Sequence, residues 1–293
     1  MARCGCAAVD GPGGTGCECA IQQGPGTSVT GTGQPLAPYT VSARLSTDAG
    51  NALRFGTDTG LYAGGPLGMI VYDTVGATTW TKAANPKASW LHIRVVGGGG
   101  GAASLGATTA GTGVARGGGA GGNYSESWIE VSTLAASTTV TVGAGGIGGA
   151  PAGTATAGGS GGTSSFGAVV TALGGGGSPA TTVAAAPPVI SAGGTLAAAG
   201  VGQLRLRGAA GGQGIYVVAG ARMGGAGGDS GGGMGAVVPS NLASGGSAVG
   251  RAYGGGASGP TGEGVTTGAL GAAGGHLLQH LHLRARPRGI FEE

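Results

Sequence analysis

One serine lies in a local pattern that is typical of a catalytic nucleophile. Residues 228–232 read Gly-Asp-Ser-Gly-Gly, with Ser230 at the centre. A serine nucleophile needs a general base and a group that orients the base. His92 is the one histidine upstream of Ser230, and it lies in the strand-like stretch "SWLHIRV". Because glycine fills most positions around Ser230, the pattern arises there by chance, and we expect no catalytic residues and no enzyme.

Two carboxylates form the other grouping with catalytic potential. Glu126 and Glu130 stand four residues apart in "NYSESWIEVS", which alternates as a strand would. Residues separated by an even number of positions share one face of a strand. We expect no further acid or base to converge on this face. The pair therefore does not support a hydrolase.

All four cysteines lie near the start of the chain, in a C-x-C pair followed by a second C-x-C pair: Cys4, Cys6, Cys17 and Cys19. A disulfide within either pair would be strained. The usual zinc pattern places two residues between paired cysteines, so this spacing is unusual for zinc. Three states stay open, namely disulfides between the pairs or between chains, a structural metal, and free thiols.

The C-terminal sequence "HLLQHLHLRARPRGIFEE" alternates apolar and polar residues from His280 to Arg286. This pattern predicts a terminal strand that closes a β-module. A more specific hypothesis is that His280 and His282 from three chains form a six-nitrogen metal site on a symmetry axis. These histidines and the four cysteines are the exceptions to our expectation that the chain has no cofactor.

Glycine dominates the composition, with 75 of 293 residues, and charged residues make up only 9%. Tracts such as "GAGGIGG", "GGSGG" and "GGAGGDSGGG" repeat two glycines in every three residues. This period fits a left-handed helix with three residues per turn, which has no internal hydrogen bonds. Because buried backbone groups must be paired, such helices must bond to one another. Residues 97 to about 275 are therefore predicted to form a polyglycine-II bundle.

Apolar runs alternate with these tracts and predict short strands. In "SWLHIRVV" we expect Leu91, Ile93 and Val95 on the buried face, opposite Trp90, His92, Arg94 and Val96. Trp80, Trp90 and Trp128 are expected to anchor a small β core. The fold class predicted is mainly β, with small β-sandwich-like modules, a polyglycine-II bundle and little or no α-helix.

Three domains are predicted. They are a Cys-rich attachment segment (1–35), a small β-module (36–75) and a glycine-rich domain (76–293), which holds strands at 78–97, 123–143, 164–173 and 280–292. A net charge of +3 is too weak to indicate nucleic-acid binding. The N-terminal sequence shows no secretion signal, and Val183 to Gly202 would make a poor membrane helix, so no membrane insertion is expected.

Two stretches carry a resemblance to a known family. "GTSVTGTGQPLAPYTVSARLSTDAGNALRFGTDTGLYAGG" resembles the N-terminal module of minor tail proteins of phages that infect actinobacteria. "WTKAANPKASWLHIRVVGGGGG", with the tracts that follow it, is similar to the glycine-rich domain of phage tail fibres and tips. The basic, histidine-rich C-terminus departs from the hydrophobic closing strand of such domains.

The resemblance implies a structural protein of the virion at the tail tip or fibre that associates with itself as a homotrimer. It implies an N-terminus that docks to other tail proteins and a distal domain that contacts the host cell envelope. Polar and aromatic residues that interrupt the glycine tracts are the expected receptor contacts: Arg205, Arg207, Tyr216, Arg222, Asn241, Arg251 and Tyr253.

The alternative is a glycine-rich secreted or cell-surface protein of an actinobacterium, including an ice-binding polyglycine bundle. An ice-binding bundle would show a regular flat face of threonine or alanine at every third position. The threonines of this chain cluster irregularly. We therefore expect the tail protein.

Overall fold

The structure is a computed structural model that describes part of the chain. The described residues are 27–30, 39–43, 53–55, 61–63, 66–86, 88–108, 112–150, 153–180, 188–218, 220–231, 233–237, 247–251, 253–263 and 279–284. Two compact units divide the chain: residues 1–65 with 286–293, and residues 66–285. The predicted divisions after residues 35 and 75 stay predictions. Cys4, Cys6, Cys17, Cys19 and Asn241 lie outside the described residues.

In the first unit, two short antiparallel hairpins are described. Strands β1 (Thr27–Thr30) and β2 (Thr40–Ala43) pair with Val29 opposite Val41. Strands β3 (Leu53–Phe55) and β4 (Leu61–Ala63) pair with Arg54 opposite Tyr62.

The second unit contains the remaining strands. They are β5 (Pro66–Tyr72), β6 (Gly76–Thr81), β7 (Trp90–Val96), β8 (Gly113–Ala115), β9 (Tyr124–Glu130), β10 (Ser137–Val142), β11 (Ser164–Phe166), β12 (Val170–Ala172), β13 (Val189–Ser191), β14 (Leu204–Leu206), β15 (Gly214–Val218), β16 (Ala221–Met223), β17 (Thr261–Glu263) and β18 (Gln279–Arg284). A single 3₁₀ turn, Val131–Thr133, is the one helical element among the described residues. The predicted fold class, mainly β with little or no α-helix, is confirmed.

Two antiparallel sheets form the base of the second unit. The five-stranded sheet has the order β14-β9-β7-β18-β5, and the four-stranded sheet has the order β12-β11-β10-β6. The C-terminal strand β18 therefore lies between β7 and β5, and it pairs with both.

The core of this base lies between the two sheets. Leu91, Ile93 and Val95 of β7 are at most 2% exposed and belong to one cluster with Trp80 and Phe166 of the other sheet. The rings of Trp80 and Phe166 lie 5.7 Å apart at an angle of 60°, a tilted geometry that aromatic pairs favour. The alternation predicted for β7 is thus confirmed, because its apolar face is the one that packs against the opposite sheet.

The glycine tracts form a bundle held together by backbone hydrogen bonds. The central tract, residues 116–123, donates its amides in three rows, each repeating every third residue, over distances of 2.8 to 2.9 Å. Amides 116, 119 and 122 donate to carbonyls 260, 257 and 254; amides 118 and 121 donate to 212 and 209; amides 120 and 123 donate to 176 and 173. Three residues per turn is the period of the polyproline-II helix, so each row faces one neighbour.

Three further tracts donate to the carbonyls of the central tract. The amides of Gly225 and Gly228 donate to carbonyls 116 and 119, that of Gly194 to carbonyl 118, and those of Gly100 and Gly97 to carbonyls 120 and 123. The central tract is therefore bonded to six neighbouring tracts. For the part of the predicted 97–275 region that the structure describes, this confirms the polyglycine-II bundle.

Close backbone approach explains why these positions are glycine. A Cβ atom added at Gly119 would lie within 3.0 Å of the carbonyl oxygen of Gly100, and one added at Gly121 would lie equally close to that of Asp229. Real Cβ atoms essentially never come so close. Any side chain at these two positions would push neighbouring tracts apart and lengthen their hydrogen bonds.

The tracts run from the base sheets to a far end and back. At the far end β8 pairs with β17, and β13, β15 and β16 form a three-stranded sheet. Tyr216 of β15 packs there against Ala115 and Val189, and its ring occupies the space that a side chain at Gly113 would fill. Small apolar contacts of this kind close the end of the bundle that lies away from the base.

Candidate functional site

The five-stranded sheet has one face toward the core and one face away from it. We call the second the outer face, defined by Trp90, His92 and Arg94 of β7 with Tyr124, Glu126, Trp128 and Glu130 of β9. In the register of the two strands, His92 lies opposite Trp128 and Arg94 lies opposite Glu126. Directly opposite residues of an antiparallel pair have their side chains side by side. The sheet therefore brings basic, acidic and aromatic groups together on this face.

Glu126 is the centre of a hydrogen-bonded network. Its Oε1 lies 2.5 Å from Nε2 of His92, and its Oε2 accepts a hydrogen bond from the Tyr124 hydroxyl. Nε of Arg94 donates to the Tyr124 hydroxyl over 2.8 Å and lies 3.8 Å from Oε2 of Glu126. The expectation that no other group converges on Glu126 is wrong, because Tyr124 of its own strand and His92 and Arg94 of the neighbouring strand meet there.

Aromatic contacts hold the same residues in place. The imidazole of His92 stacks on Trp128 with ring centroids 4.2 Å apart and an interplanar angle of 3°. The guanidinium of Arg94 lies 5.8 Å from the centre of the Tyr124 ring, within the range of a cation–π interaction. Of the three tryptophans expected in the core, only Trp80 is fully buried, whereas Trp90 and Trp128 are half-buried on the outer face.

The network shifts the protonation of its members. Burial raises the pKa of Glu126, but the hydrogen bonds from Tyr124 and His92 and the nearby His92 and Arg94 outweigh burial and leave that pKa below its ordinary value. Burial, together with the hydrogen bond to Glu126, raises the pKa of Tyr124. The hydrogen bond with Tyr124 raises the pKa of Arg94. The carboxylate and the guanidinium are thus held in their charged forms.

Ser230 has a structural position. Its hydroxyl donates to the backbone carbonyl of Tyr253 over 2.6 Å and lies 3.2 Å from that of Gly233, and it bridges to Gly233 at a turn of the bundle. His92 belongs instead to the network around Glu126. The structure does not bring Ser230 and His92 together in any contact that it describes.

The strand β18 places the two C-terminal histidines next to this network. In the register, His282 lies opposite His92 on one side and Met69 on the other, and His280 lies opposite Arg94 and Val71. The side chains of β18 are outside the described part of the structure. Among the side chains that are described, no three His, Cys, Asp or Glu residues lie together as a metal site would need.

The predicted receptor contacts divide between the two ends of the bundle. Arg205 of β14, Arg207, Arg251 and Tyr253 are exposed near the base, where Arg207 donates through Nε to the carbonyl of Ala197 over 2.9 Å. Arg222 lies at the far end, opposite Tyr216. Tyr216 itself is 2% exposed. Its place as a surface contact is therefore corrected, since the ring packs inside the bundle.

Sequence reasoning missed the network around Glu126. The alternation of "NYSESWIEV" placed Tyr124, Glu126 and Trp128 on one strand face, and that of "WLHIRVV" placed His92 and Arg94 on another. Only the pairing of β7 with β9 in this register brings the two faces together. The sequence did contain one signal for this network. An arginine and a glutamate lie on two strands of alternating polar and apolar residues, and a glycine-rich segment connects the two strands.

These features define a class of protein: a polyglycine-II bundle built on two packed antiparallel sheets. The glycine-rich domain family matches residues 72–283 of the chain, and the chain belongs to this family. No curated protein matches it. Within the described residues, no helix is long and apolar enough to cross a membrane.

Proposed function

We propose that the chain is a minor tail protein of a bacteriophage that infects actinobacteria, located at the tail tip or fibre, where it mediates attachment to the host envelope. The observation that carries the proposal is the bonding of the central tract to six neighbours. A bundle joined through its backbone is stiff without a large apolar core. Such a scaffold suits a particle surface that must hold binding residues in fixed positions outside a cell.

The chain topology separates the two ends of this scaffold. The chain enters the second unit through β5 at the base, and β13, β15 and β16 lie at the far end. We infer that the base faces the virion and that the far end faces the host. Under this assignment Arg222, at the far end, is a receptor contact, whereas Arg205, Arg207, Arg251 and Tyr253 contact other copies or other tail proteins.

Exposed apolar residues at the far end support this assignment. Ile190, Ile215 and Met223 lie opposite one another in the three-stranded sheet, and Ile190 and Met223 are 62% and 46% exposed. Exposed apolar rows on a soluble protein surface are typical of interaction sites. The same proposal includes a homotrimer, because three copies would multiply a weak contact with the envelope into stable attachment.

Immunogold labelling tests the proposal. Antibodies raised against the purified full chain are applied to purified phage particles and to the envelope and culture supernatant of the bacterial host. The proposal predicts gold at the tail tip. Gold on the bacterial envelope or protein in the supernatant, with unlabelled particles, would contradict it and support the glycine-rich cell-surface or secreted protein.

A binding assay addresses the attachment step. The fluorescently labelled chain is incubated with intact actinobacterial cells, and bound fluorescence is compared for the wild type and Arg222→Ala. The proposal predicts saturable binding that the substitution weakens. The matched control is Lys82→Ala, which removes a cation next to β6 at the base and outside every contact proposed above, and it should bind as the wild type does.

A further inference from the structure

One edge of the bundle carries backbone groups that no neighbouring tract pairs. Among the described residues, the tract 157–163 is bonded to three other tracts, at 97–104, 143–149 and 173–178, whereas the central tract has six neighbours. We call the outer border between the tracts 157–163 and 173–178 the seam. The glycines on both sides of the seam are partly exposed, so the seam lies at the surface.

One side of the seam offers hydrogen-bond donors. The N–H and the C=O of one trans peptide point in opposite directions. The carbonyls of Leu173 and Gly176 accept hydrogen bonds from the central tract. The amides of Gly174 and Gly177 belong to the same two peptides, so they point away from the central tract and toward the surface. Neither amide donates to a backbone carbonyl in the part of the chain that the structure describes.

The other side of the seam offers hydrogen-bond acceptors. The amides of Gly159 and Gly162 donate to carbonyls of the tract 143–149 over 2.7 Å. The carbonyls of Gly158 and Gly161 belong to the same two peptides and therefore point away from that tract. Within the described ranges, no backbone amide donates to either carbonyl.

The donors and the acceptors lie side by side. A Cβ atom added at Gly174 would overlap the carbonyl oxygen of Gly161, and one added at Gly177 would overlap that of Gly158. Both rows repeat every third residue, which corresponds to about 9.3 Å along the axis of such a helix. A further glycine tract lying in the seam could therefore accept hydrogen bonds from one row and donate to the other, as the tracts inside the bundle do.

Three side chains stand over the seam. Successive side chains of a helix with three residues per turn point about 120° apart. Cβ atoms at Gly158 and Gly159 would face two of the neighbouring tracts, 97–104 and 143–149. The third row of the tract takes the remaining direction, over the seam, and all of its residues are exposed: Ala157, Ser160 and Thr163.

A fourth side chain covers another side of the same tract. Ile147 is 75% exposed, and its Cγ1 lies 3.0 Å from the position of a Cβ atom added at Gly159. This position accounts for a large apolar residue at the surface of a glycine tract, because the side chain shields backbone that a further tract would otherwise reach.

We propose that the row Ala157, Ser160 and Thr163 protects the edge of the bundle and keeps glycine tracts of a second copy out of the seam. Sheet proteins protect their edge strands for the same reason, because a row of unpaired N–H and C=O groups is a template for another chain. Tracts bond a donor row to an acceptor row, so the contact between copies would be head-to-tail and would extend into fibres. The inference does not depend on the attachment proposed above, and it leaves the homotrimer to surfaces other than the seam.

The test removes the three side chains. In the variant Ala157→Gly, Ser160→Gly, Thr163→Gly the tract is glycine from 157 to 163, so it exposes the seam and can also occupy the seam of another copy. The full chain, kept in reductant, is measured by light scattering over a series of concentrations. Hydrogen exchange of the Gly174 and Gly177 amides is followed by NMR.

The wild type should keep one mass at all concentrations, and its Gly174 and Gly177 amides should exchange fast. The triple-glycine variant should grow in mass as its concentration rises. At high concentration its two amides should exchange at least about tenfold more slowly than those of the wild type, because hydrogen bonds with a second copy protect them.

Two controls separate the loss of protection from the added flexibility of glycine. Ala168→Gly with Val169→Gly adds two glycines at the exposed turn between β11 and β12 and should keep the wild-type mass. Ala157→Ser, Ser160→Thr and Thr163→Ser together keep a side chain at each position of the row and should keep it as well.

Two results would overturn the proposal. One is a folded triple-glycine variant with the wild-type mass at every concentration, and the other is a wild type whose mass itself grows with concentration. If the triple-glycine variant does not fold, the variant Ser160→Gly with Thr163→Gly gives the same decision.

Discussion

At the scale of single residues, two kinds of position matter most in this chain. Glycines of the central tract are required because neighbouring backbones lie where a side chain would be. Glu126 is required because it joins residues of β7 and β9 into one network. The first kind determines whether the bundle forms, and the second determines the charge and order of the outer face.

Gly119→Ala should strongly destabilise the chain. The added Cβ would overlap the carbonyl of Gly100, and overpacking of a rigid interior costs on the order of 3 kcal/mol. The measurement is chemical denaturation followed by circular dichroism. Gly153→Ala is the matched control, since a Cβ there meets nothing within 4 Å, and it should be neutral or stabilising by about 0.5 kcal/mol. Equal effects of the two substitutions would refute the close packing of the tracts.

Glu126→Gln should change the pH dependence of stability. The pKa of Glu126 is lowered in the folded state, so its ionised form stabilises the fold above the ordinary value of 4.5, and this contribution is lost as the pH falls through the lowered pKa. The difference in unfolding temperature between wild type and variant should therefore be constant at neutral pH and shrink below pH 4.5.

The control for this pH effect is Glu130→Gln, which changes an exposed carboxylate of the same strand. Its difference from the wild type should be small throughout. A Glu126→Gln difference that stays constant or grows on acidification would show that the network does not hold the carboxylate ionised.

At the scale of elements, the sequence predicted the local structure better than its connections. Two glycines in three residues predicted the tracts, and alternation predicted the buried face of β7, because both are properties of neighbouring residues. The position of β18 between β5 and β7 depends on pairings across about 190 to 210 residues, as the register of His282 with His92 and Met69 shows. No local pattern carries that information.

The same limit applies to the candidate site. His92, Arg94 and Glu126 were each assigned to a polar strand face, but the network exists only in the register that sets Arg94 opposite Glu126. Tyr216 shows the opposite failure. The sequence predicted a surface contact at this aromatic residue of a glycine-rich stretch, but the Tyr216 ring fills the space left by Gly113.

A one-residue insertion tests the threefold register of the tracts. One glycine inserted between Gly119 and Ala120 moves every following amide to a different neighbour, so the rows to carbonyls 254, 209 and 173 break. The variant should lose cooperative thermal unfolding. One glycine inserted between Gly153 and Thr154, at an exposed bend, should leave the transition nearly unchanged. A tolerated insertion in the central tract would be incompatible with period-three bonding.

At the scale of the whole molecule, the proposal combines a stiff bundle with self-association. A single chain of 27.0 kDa offers one far-end surface, whereas three chains present three. The mass of the protein in solution tests whether the chains associate.

Light scattering of the purified chain should give three times 27.0 kDa. The measurement is repeated with a reductant. The control is the variant in which all four cysteines are replaced, with Cys4→Ser, Cys6→Ser, Cys17→Ser and Cys19→Ser. A trimer that dissociates only with reductant would place disulfides between chains at the N-terminal cysteines. A folded species of 27.0 kDa under all conditions would contradict the homotrimer.

Hydrogen exchange followed by NMR tests the polyglycine-II bundle most directly. Seven amides of the central tract, those of residues 116 and 118–123, donate to backbone carbonyls of three different tracts. Amides that open only when the whole structure unfolds exchange most slowly. We predict that these seven are among the slowest in the chain and that, after correction for the intrinsic exchange rate of each residue, they share one opening free energy. Exchange as fast as in an unstructured glycine-rich peptide would contradict the bundle and the proposed function that depends on it.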